Sequence, residues 1–422
     1  MSLYALLSVL TASLVVGRSA CQSVGPIFDA IDAQDDALSA LNKDIWENPE
    51  LAYEEYHAHE VLTDYLEKQG FTVTRSAFNL STAFVAEYSN GEGRSVSFNS
   101  EYDSLPGMGH ACGHNLIAIS GVAAALGVKE ALENQGAKGR VVLFGTPAEE
   151  GGGGKIKMLE AGAYDDVDCS LMAHPSNAYY ASFYYSLAAW AGDVTWHGAS
   201  AHAGNAPWLG RNAMDGYVSA YTMAGLFRQQ LRGTDRIHHV IRETSQIVNV
   251  IPEKAHSMWA VRALDRDRRD VVLERLRTII DASAAGTNTS VEVEQTLDYW
   301  DVVSNRPLAE LYYKYLVAHF DPAKNNETSQ FRFDNVEDEV DAHFVGGSTD
   351  QGNVSHKVPA LHAMFPIVSG ISSHTPAFYN VSGTDFAYRQ AINTAKSLAM
   401  VGIDVLRSDA TFEAMKEDFN KS

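Results

Sequence analysis

Three cysteines in 422 residues exclude a disulfide scaffold, so a hydrophobic core must hold the fold. A Cys21–Cys169 bridge stays open on sequence grounds. Basic residues are also scarce, with 32 Lys and Arg against 53 Asp and Glu, a net charge of −21. Such a surface repels phosphate backbones and anionic headgroups, so neither nucleic acid nor a membrane surface is an expected partner. Long apolar runs are missing as well, and after the N-terminus no stretch reads as able to span a bilayer. The N-terminus itself carries Leu3 to Val16, an apolar run broken only by Ser and Thr and followed by small residues. It reads as a signal peptide over residues 1–20 and predicts a secreted product, although no Lys or Arg precedes the run. Asn-x-Ser/Thr triplets at Asn79, Asn288, Asn326, Asn353 and Asn380 suit a secreted, glycosylated surface.

The length accommodates two domains, each with its own core. Residues Ile27 to Lys68 carry helical periodicity, with Leu38, Leu41, Ile45 and Trp46 on one side. Short apolar runs at Val96–Asn99, Arg140–Gly145 and Cys169–Ala173 then read as buried strands, with an Ala-rich helix at Ile117–Leu132. This predicts an α/β fold with a largely parallel sheet, whose chemistry sits in loops beyond the carboxyl ends of the strands. From about Ser186 the pattern changes to a strand at Asp193–Trp196, a helix at Asn212–Leu231, strands at Ile237–Arg242 and His256–Leu264, a helix at Arg268–Ala282 and a strand at Ser290–Leu297. The expected organisation is a catalytic α/β domain in two parts, 26–186 and 298–422, interrupted by an inserted α+β domain at 187–297. The second part should hold helices at Pro307–His319 and Asp385–Arg407.

Chemistry concentrates in a few motifs. In GMGHACGHN, Cys112 and His114 lie two residues apart directly before a helix, where a helix N-terminus favours the metal-binding thiolate. In GTPAEEGGGGK, Glu149 and Glu150 stand at a strand exit, so one carboxylate can bind metal while its neighbour holds a water. His174 closes the strand LMAHP and His374 lies in SSHTPAF; the following prolines should end regular structure and expose both imidazoles. Cys112, His114, Glu150, His174 and His374 are more ligands than one tetrahedral zinc uses, so two metals sharing a ligand fit better. Mixed S, N and O ligation suits two divalent ions, with Zn expected and Mn or Co as alternatives. In the inserted domain, His202, Asn249 and Arg262 are candidates for binding a substrate carboxylate. Aromatics from Tyr179 to Tyr185 and Trp208 suggest an apolar acyl side.

The ordered set EYDSLPGMGHACGHNL, GTPAEEGGGGK, MAHP, SAHAGNAPWLGRNA, NVIPE, GGSTDQGNVSHKVP and SSHTPAF resembles peptidase family M20, in its aminoacylase-1-like, amidohydrolase-type branch with dipeptidase-like members. The likeness spans Asp44 to Leu406. It implies that Cys112, His114, Glu150, His174 and His374 ligate two metals and that Glu149 is the general base and later acid. It further implies that His202 stabilises the oxyanion, often from a partner subunit, and that Asn249 and Arg262 engage substrate. The inserted domain would then serve as a lid and dimerisation domain, giving a homodimer. Many relatives carry His-x-Asp where this chain has Glu101-Tyr102-Asp103, which leaves Asp103 as a candidate support for the ligands.

The expected activity is metal-dependent hydrolysis of a small N-acyl amino acid or dipeptide by a metal-activated water, with Glu149 as base. One alternative makes Cys112 a nucleophile with His110 or His114 as its base, which leaves Glu149, Glu150, His174 and His374 without a shared task. The other is a repurposed relative that binds an amino-acid conjugate, or forms amides in a biosynthetic pathway, without net hydrolysis.

Overall fold

The computed structural model describes residues 24–177, 179–320, 332–334 and 347–421. The expected signal peptide, Cys21 and Asn326 lie outside the described residues. Twelve strands are described, in two sheets. They are β1 (Thr72–Arg75), β2 (Phe84–Asn90), β3 (Ser95–Glu101), β4 (Gly139–Thr146), β5 (Cys169–Ser176) and β6 (Tyr179–Ala181). There follow β7 (Ala188–His197), β8 (Arg236–Thr244), β9 (Lys254–Ala263), β10 (Ser290–Tyr299), β11 (Arg332–Asp334) and β12 (Ala360–Pro366).

The larger sheet has the order β1-β2-β4-β3-β5-β12-β6-β11. Its centre, β4-β3-β5-β12, is parallel throughout, while β1 and β2 add antiparallel at one edge. Every residue of β3 is buried, as a parallel strand covered on both faces requires. The Ala-rich helix His114–Asn134 lies against this sheet and packs on helix Asp385–Arg407. Small residues set that approach: a Cβ on Gly127 would come within 2.8 Å of Ala399 Cβ. Contrary to the sequence expectation, His114–Asn134 is long and apolar enough to cross a membrane. It is instead a core helix, with 89% of its apolar window buried inside the fold.

The smaller sheet, β10-β7-β9-β8, is wholly antiparallel. Trp190, Trp196 and Trp259 form its core with helices Ala213–Phe227 and Arg266–Gly286. The helix expected to reach Leu231 ends at Phe227 and tightens into a single 3₁₀ turn at Arg228–Gln230. Asn212 is its N-cap rather than its first residue, its side chain accepting from Met214 N–H.

Strand β5 continues past His174 through Pro175 to Ser176, two residues beyond the expected end. Its parallel ladder with β12 aligns Met364 with His174 and Phe365 with Pro175, so the proline is absorbed at the strand's end instead of stopping it before. Tyr180 is a core residue that donates to Gln390, and Trp208 is exposed, so these two aromatics do not share a pocket. Of the sequons, Asn79, Asn288 and Asn380 are exposed. Asn353 is buried, with its side chain bonded to Trp300 N–H and Asp298 C=O, which removes it as a glycan site.

Candidate metal centre

Parallel β3, β4 and β5 end on the same side of the sheet and deliver Glu101 and Asp103, Glu149 and Glu150, and His174 to one place. The loop before helix His114–Asn134 turns through Gly113 in a left-handed conformation, φ 85°. A Cβ there would meet Pro175 Cγ at 2.6 Å, so glycine lets the Cys112 loop close onto the His174 strand. His374 arrives from the C-terminal segment because its N–H donates to Ala111 C=O at 2.8 Å.

The side chains interlock. Cys112 Sγ lies 3.4 Å from His174 Nε2, while His174 Nδ1 donates to Pro175 C=O at 2.7 Å. Asp103 accepts from His114 Nδ1 at 3.0 Å with one oxygen and from Glu150 N–H at 2.9 Å with the other. A carboxylate only accepts, so His114 Nδ1 is protonated, and Nε2 turns toward Glu149 and Glu150, each 3.9 Å away. His374 Nε2 is 3.2 Å from Glu150 Oε1. Three ligand triads result, Cys112–His114–His174, Cys112–Glu150–His374 and His114–Glu149–Glu150, each with donor atoms within 4.8 Å of one another. Cys112 is shared by two of them, as are His114 and Glu150.

Electrostatics favour a cation here. Burial pushes the Glu149 carboxyl well above its usual range, and Glu101, Glu150 and Asp350 push it further. Burial also raises the Cys112 thiol, helped by Glu150, which is the reverse of what a free nucleophilic cysteine needs. Burial would raise Asp103 too, but the charge and hydrogen bond of His114 override it and hold the carboxyl low. His110, the other base considered for Cys112, is buried and engaged at Nε2 with Ile45 C=O. The buried His114 Nε2 has no hydrogen-bond partner, an expensive omission for a protein interior unless an ion completes it. The donor set, one sulfur, three imidazoles and a carboxylate, fits a pair of Zn-like cations.

The lid candidates lie elsewhere. His202 is exposed, and its Nδ1 accepts from Gly204 and Asn205 N–H at 3.2 Å within its own loop. Asn249 is also exposed and sits beside it, accepting Ala203 N–H through its C=O. Within one chain, these two do not join the buried cluster. Arg262, on β9, donates to Ser348 Oγ at 3.1 Å, tying the small sheet to the loop that precedes Asp350.

Several residues escaped the sequence reading. Lys155, fully buried after the glycine run, donates to Glu101 Oε1 at 2.5 Å and Asp350 Oδ1 at 2.7 Å. Glycine is required just before it, since a Cβ on Gly154 would lie 1.8 Å from Pro147 C=O. Glu55 accepts from Thr82 Oγ1 at 2.7 Å and from Ala148 N–H at 2.8 Å. Ala148 has φ 61°, a conformation that alanine rarely adopts, and the Glu55 bond helps hold this strained turn that aims Glu149. Tyr299, at the end of β10, donates to Glu149 C=O. Buried charges of this kind leave no periodic trace; only the Gly-Gly-Gly-Gly-Lys run could have drawn notice.

Burial, then the nearby Asp103, raises the Glu55 pKa from 4.5 to about 7. Its protonated form therefore favours the fold: this contribution is complete below about pH 4.5 and is lost as pH rises through about 7. Glu55→Gln keeps the neutral form at all pH values. Relative to wild type, its melting temperature should rise by roughly 2–4 °C between about pH 5 and pH 8. Thermal unfolding at the two pH values checks this, and a constant difference would mean that Glu55 does not titrate in that window.

The comparisons with known proteins agree with this geometry. Residues 91–394 match the family model described as peptidase family M20/M25/M40. The chain is 37% identical to the human Xaa-Arg dipeptidase over 407 residues, covering 93% of this chain and 90% of that protein. It is 28% identical to a p-aminobenzoyl-glutamate hydrolase polypeptide of Escherichia coli over 454 residues, 93% of this chain and 94% of that one. The fold is shared with the Bacillus subtilis YXEP protein, described as a dinuclear metal binding peptidase from the M20 family. That match has TM-score 0.65 and 19% identity, covering 89% of this chain and 99% of the other. The buried cluster at the strand ends, the antiparallel second sheet and these matches place the chain in peptidase family M20, among its peptidases and amidohydrolases.

Proposed function

We propose that the chain is a two-metal amidohydrolase cleaving dipeptides or small N-acyl amino acids, a reading carried by the convergence of Cys112, His114, Glu150, His174 and His374 around one buried point. Those five residues would hold two divalent ions, Zn in first place and Mn or Co otherwise. Bound there, the ions supply Lewis acidity toward the amide carbonyl and lower the pKa of water. Glu149, beside the ligands but aimed by Ala148 and Tyr299, takes the proton of the attacking water and returns it to the leaving amine. Asp103 fixes His114 and the Glu150 backbone together, so a single carboxylate sets the positions of two ligands. Because the human relative is named a Xaa-Arg dipeptidase, a dipeptide ending in arginine is the first substrate to test.

His202 and Asn249 enter from the lid of a second copy in this proposal, which fits their exposure on one edge of the small domain. His202 then donates to the developing oxyanion, while Asn249 and Arg262 orient the substrate. The proposed domain limits 26–186, 187–297 and 298–422 rest on the change of sequence pattern near Ser186 and after Asp298, and export directed by residues 1–20 rests on the apolar run Leu3 to Val16.

Glu149→Gln should keep its bound metal and lose at least roughly a hundredfold in turnover of an Xaa-Arg dipeptide. Metal analysis beside steady-state kinetics decides it, and near-normal activity in metal-replete protein would remove Glu149 as the base. A chelator-insensitive activity, or tight binding of the dipeptide without cleavage, would point instead to the nucleophile or binding-protein alternatives. Mixing Glu149→Gln chains with His202→Ala chains should restore about a quarter of wild-type activity, because each mixed dimer regains one complete site. Mixed dimers that form but stay inactive would place His202 outside the partner's site. Expressed in a secreting cell, the protein should appear in the medium with a new N-terminus after Gly17, Ser19 or Ala20. Retention in the cell with the N-terminus intact would overturn export.

A further inference from the structure

Glu101 ends β3 and is fully buried. Lys155 holds its Oε1 at 2.5 Å, and Asp350 fixes Lys155 in turn, accepting from Nζ at 2.7 Å and from the backbone N–H at 2.9 Å. The other oxygen, Oε2, has no hydrogen-bond partner, and it lies 3.6 Å from His114 Nε2, which also has none. When Nδ1 donates to Asp103 and Nε2 carries no proton, the form that binds a metal, both facing atoms are acceptors. Two bare acceptors sealed from water repel, and burying them face to face is costly unless something positive lies between. Two ligands of one tetrahedral zinc, each bonded at about 2.1 Å, stand about 3.4 Å apart. The observed gap therefore fits a shared cation, and it is shorter than the 3.9 Å that separates His114 Nε2 from Glu149 or Glu150.

We propose that Glu101 is an additional oxygen ligand of the ion held by His114, with Lys155 as the positioning residue that turns Oε2 toward it. The inference rests on the two-metal reading above and deepens it. Lys155 offsets part of the Glu101–Asp350 charge and engages only Glu101 Oε1, leaving Oε2 free to donate. The assignment gives the glycine run a purpose: it bends the chain so that a lysine can reach beneath the metal centre. It also adds an oxygen donor to one of the two metal positions, so the two should differ in their preference between harder and softer cations.

Metal-free full-length protein is titrated with Zn²⁺ in a calorimeter, for the wild type and for Glu101→Gln, with circular dichroism checking the fold. The wild type should take two ions per chain. Glu101→Gln should keep one at unchanged affinity and bind the other at least about tenfold more weakly. Two ions held with wild-type affinities would overturn the role of Glu101. Should the variant fail to fold, a crystal structure of zinc-loaded wild type decides the matter. An ion within about 2.5 Å of Glu101 Oε2 supports ligation, and a zinc bound to His114 but beyond about 3.5 Å from that oxygen overturns it. Failure of the underlying reading looks different: wild-type protein would then bind no zinc, or Cys112→Ser and His374→Ala would each retain both ions.

Discussion

Water-excluded negative charge is the constraint around which this protein is organised. Glu55, Glu101, Asp103, Glu149 and Asp350 are all buried in one region, where Lys155 is the one buried lysine among the described residues. Carboxylates removed from water are costly, and the chain meets the cost in three ways. Backbone N–H groups of Ala148, Glu150 and Lys155 donate into the cluster. Lys155 spans Glu101 and Asp350. The remaining imbalance is what a pair of divalent ions would relieve, and the same field that raises Glu149 suits it to accept and return a proton.

The backbone bears part of this load. The segments that carry the site are irregular at the positions that matter: Gly113, Ala148, Gly153 and His374 all have positive φ. Left-handed turns at strand exits redirect the chain sharply, so Glu149 and Glu150 can diverge although adjacent in sequence. The regular elements beneath supply rigidity. Buried β3 and the helix pair closed by Gly127 and Ala399 fix where those turns begin.

The small sheet contributes at two distances. Close at hand, Tyr299 and Arg262 reach the larger domain through Glu149 C=O and Ser348 Oγ, coupling the two sheets mechanically. Farther off, His202 and Asn249 share an exposed edge with Trp208, Leu209, Ile247 and Val248, which are all more than half exposed.

Much of this was legible in the chain. The buried runs around Val96, Val141 and Leu171 declare parallel strands because a strand covered on both faces must be apolar throughout. Helix Asp385–Arg407 has the predicted ends, since Thr384 caps one and Arg407 closes the other. The strands β1 and β2 and the helix Asp409–Phe419 were not read, being short, near a sheet edge or without strong periodicity, and β12 was missed although central, because His362 interrupts its apolar run. Cys112, His114, Glu149, Glu150, His174 and His374 stood out by residue type, because few roles gather a thiol, imidazoles and paired carboxylates in loops beside buried strands. Glu101, Lys155 and Glu55 did not, for an acid or a lysine looks the same in sequence whether it faces water or a buried pocket. Only the tertiary structure decides that, by bringing β3, the glycine run and the turn at Asp350 together from positions as far apart as 101 and 350 and removing the water between them.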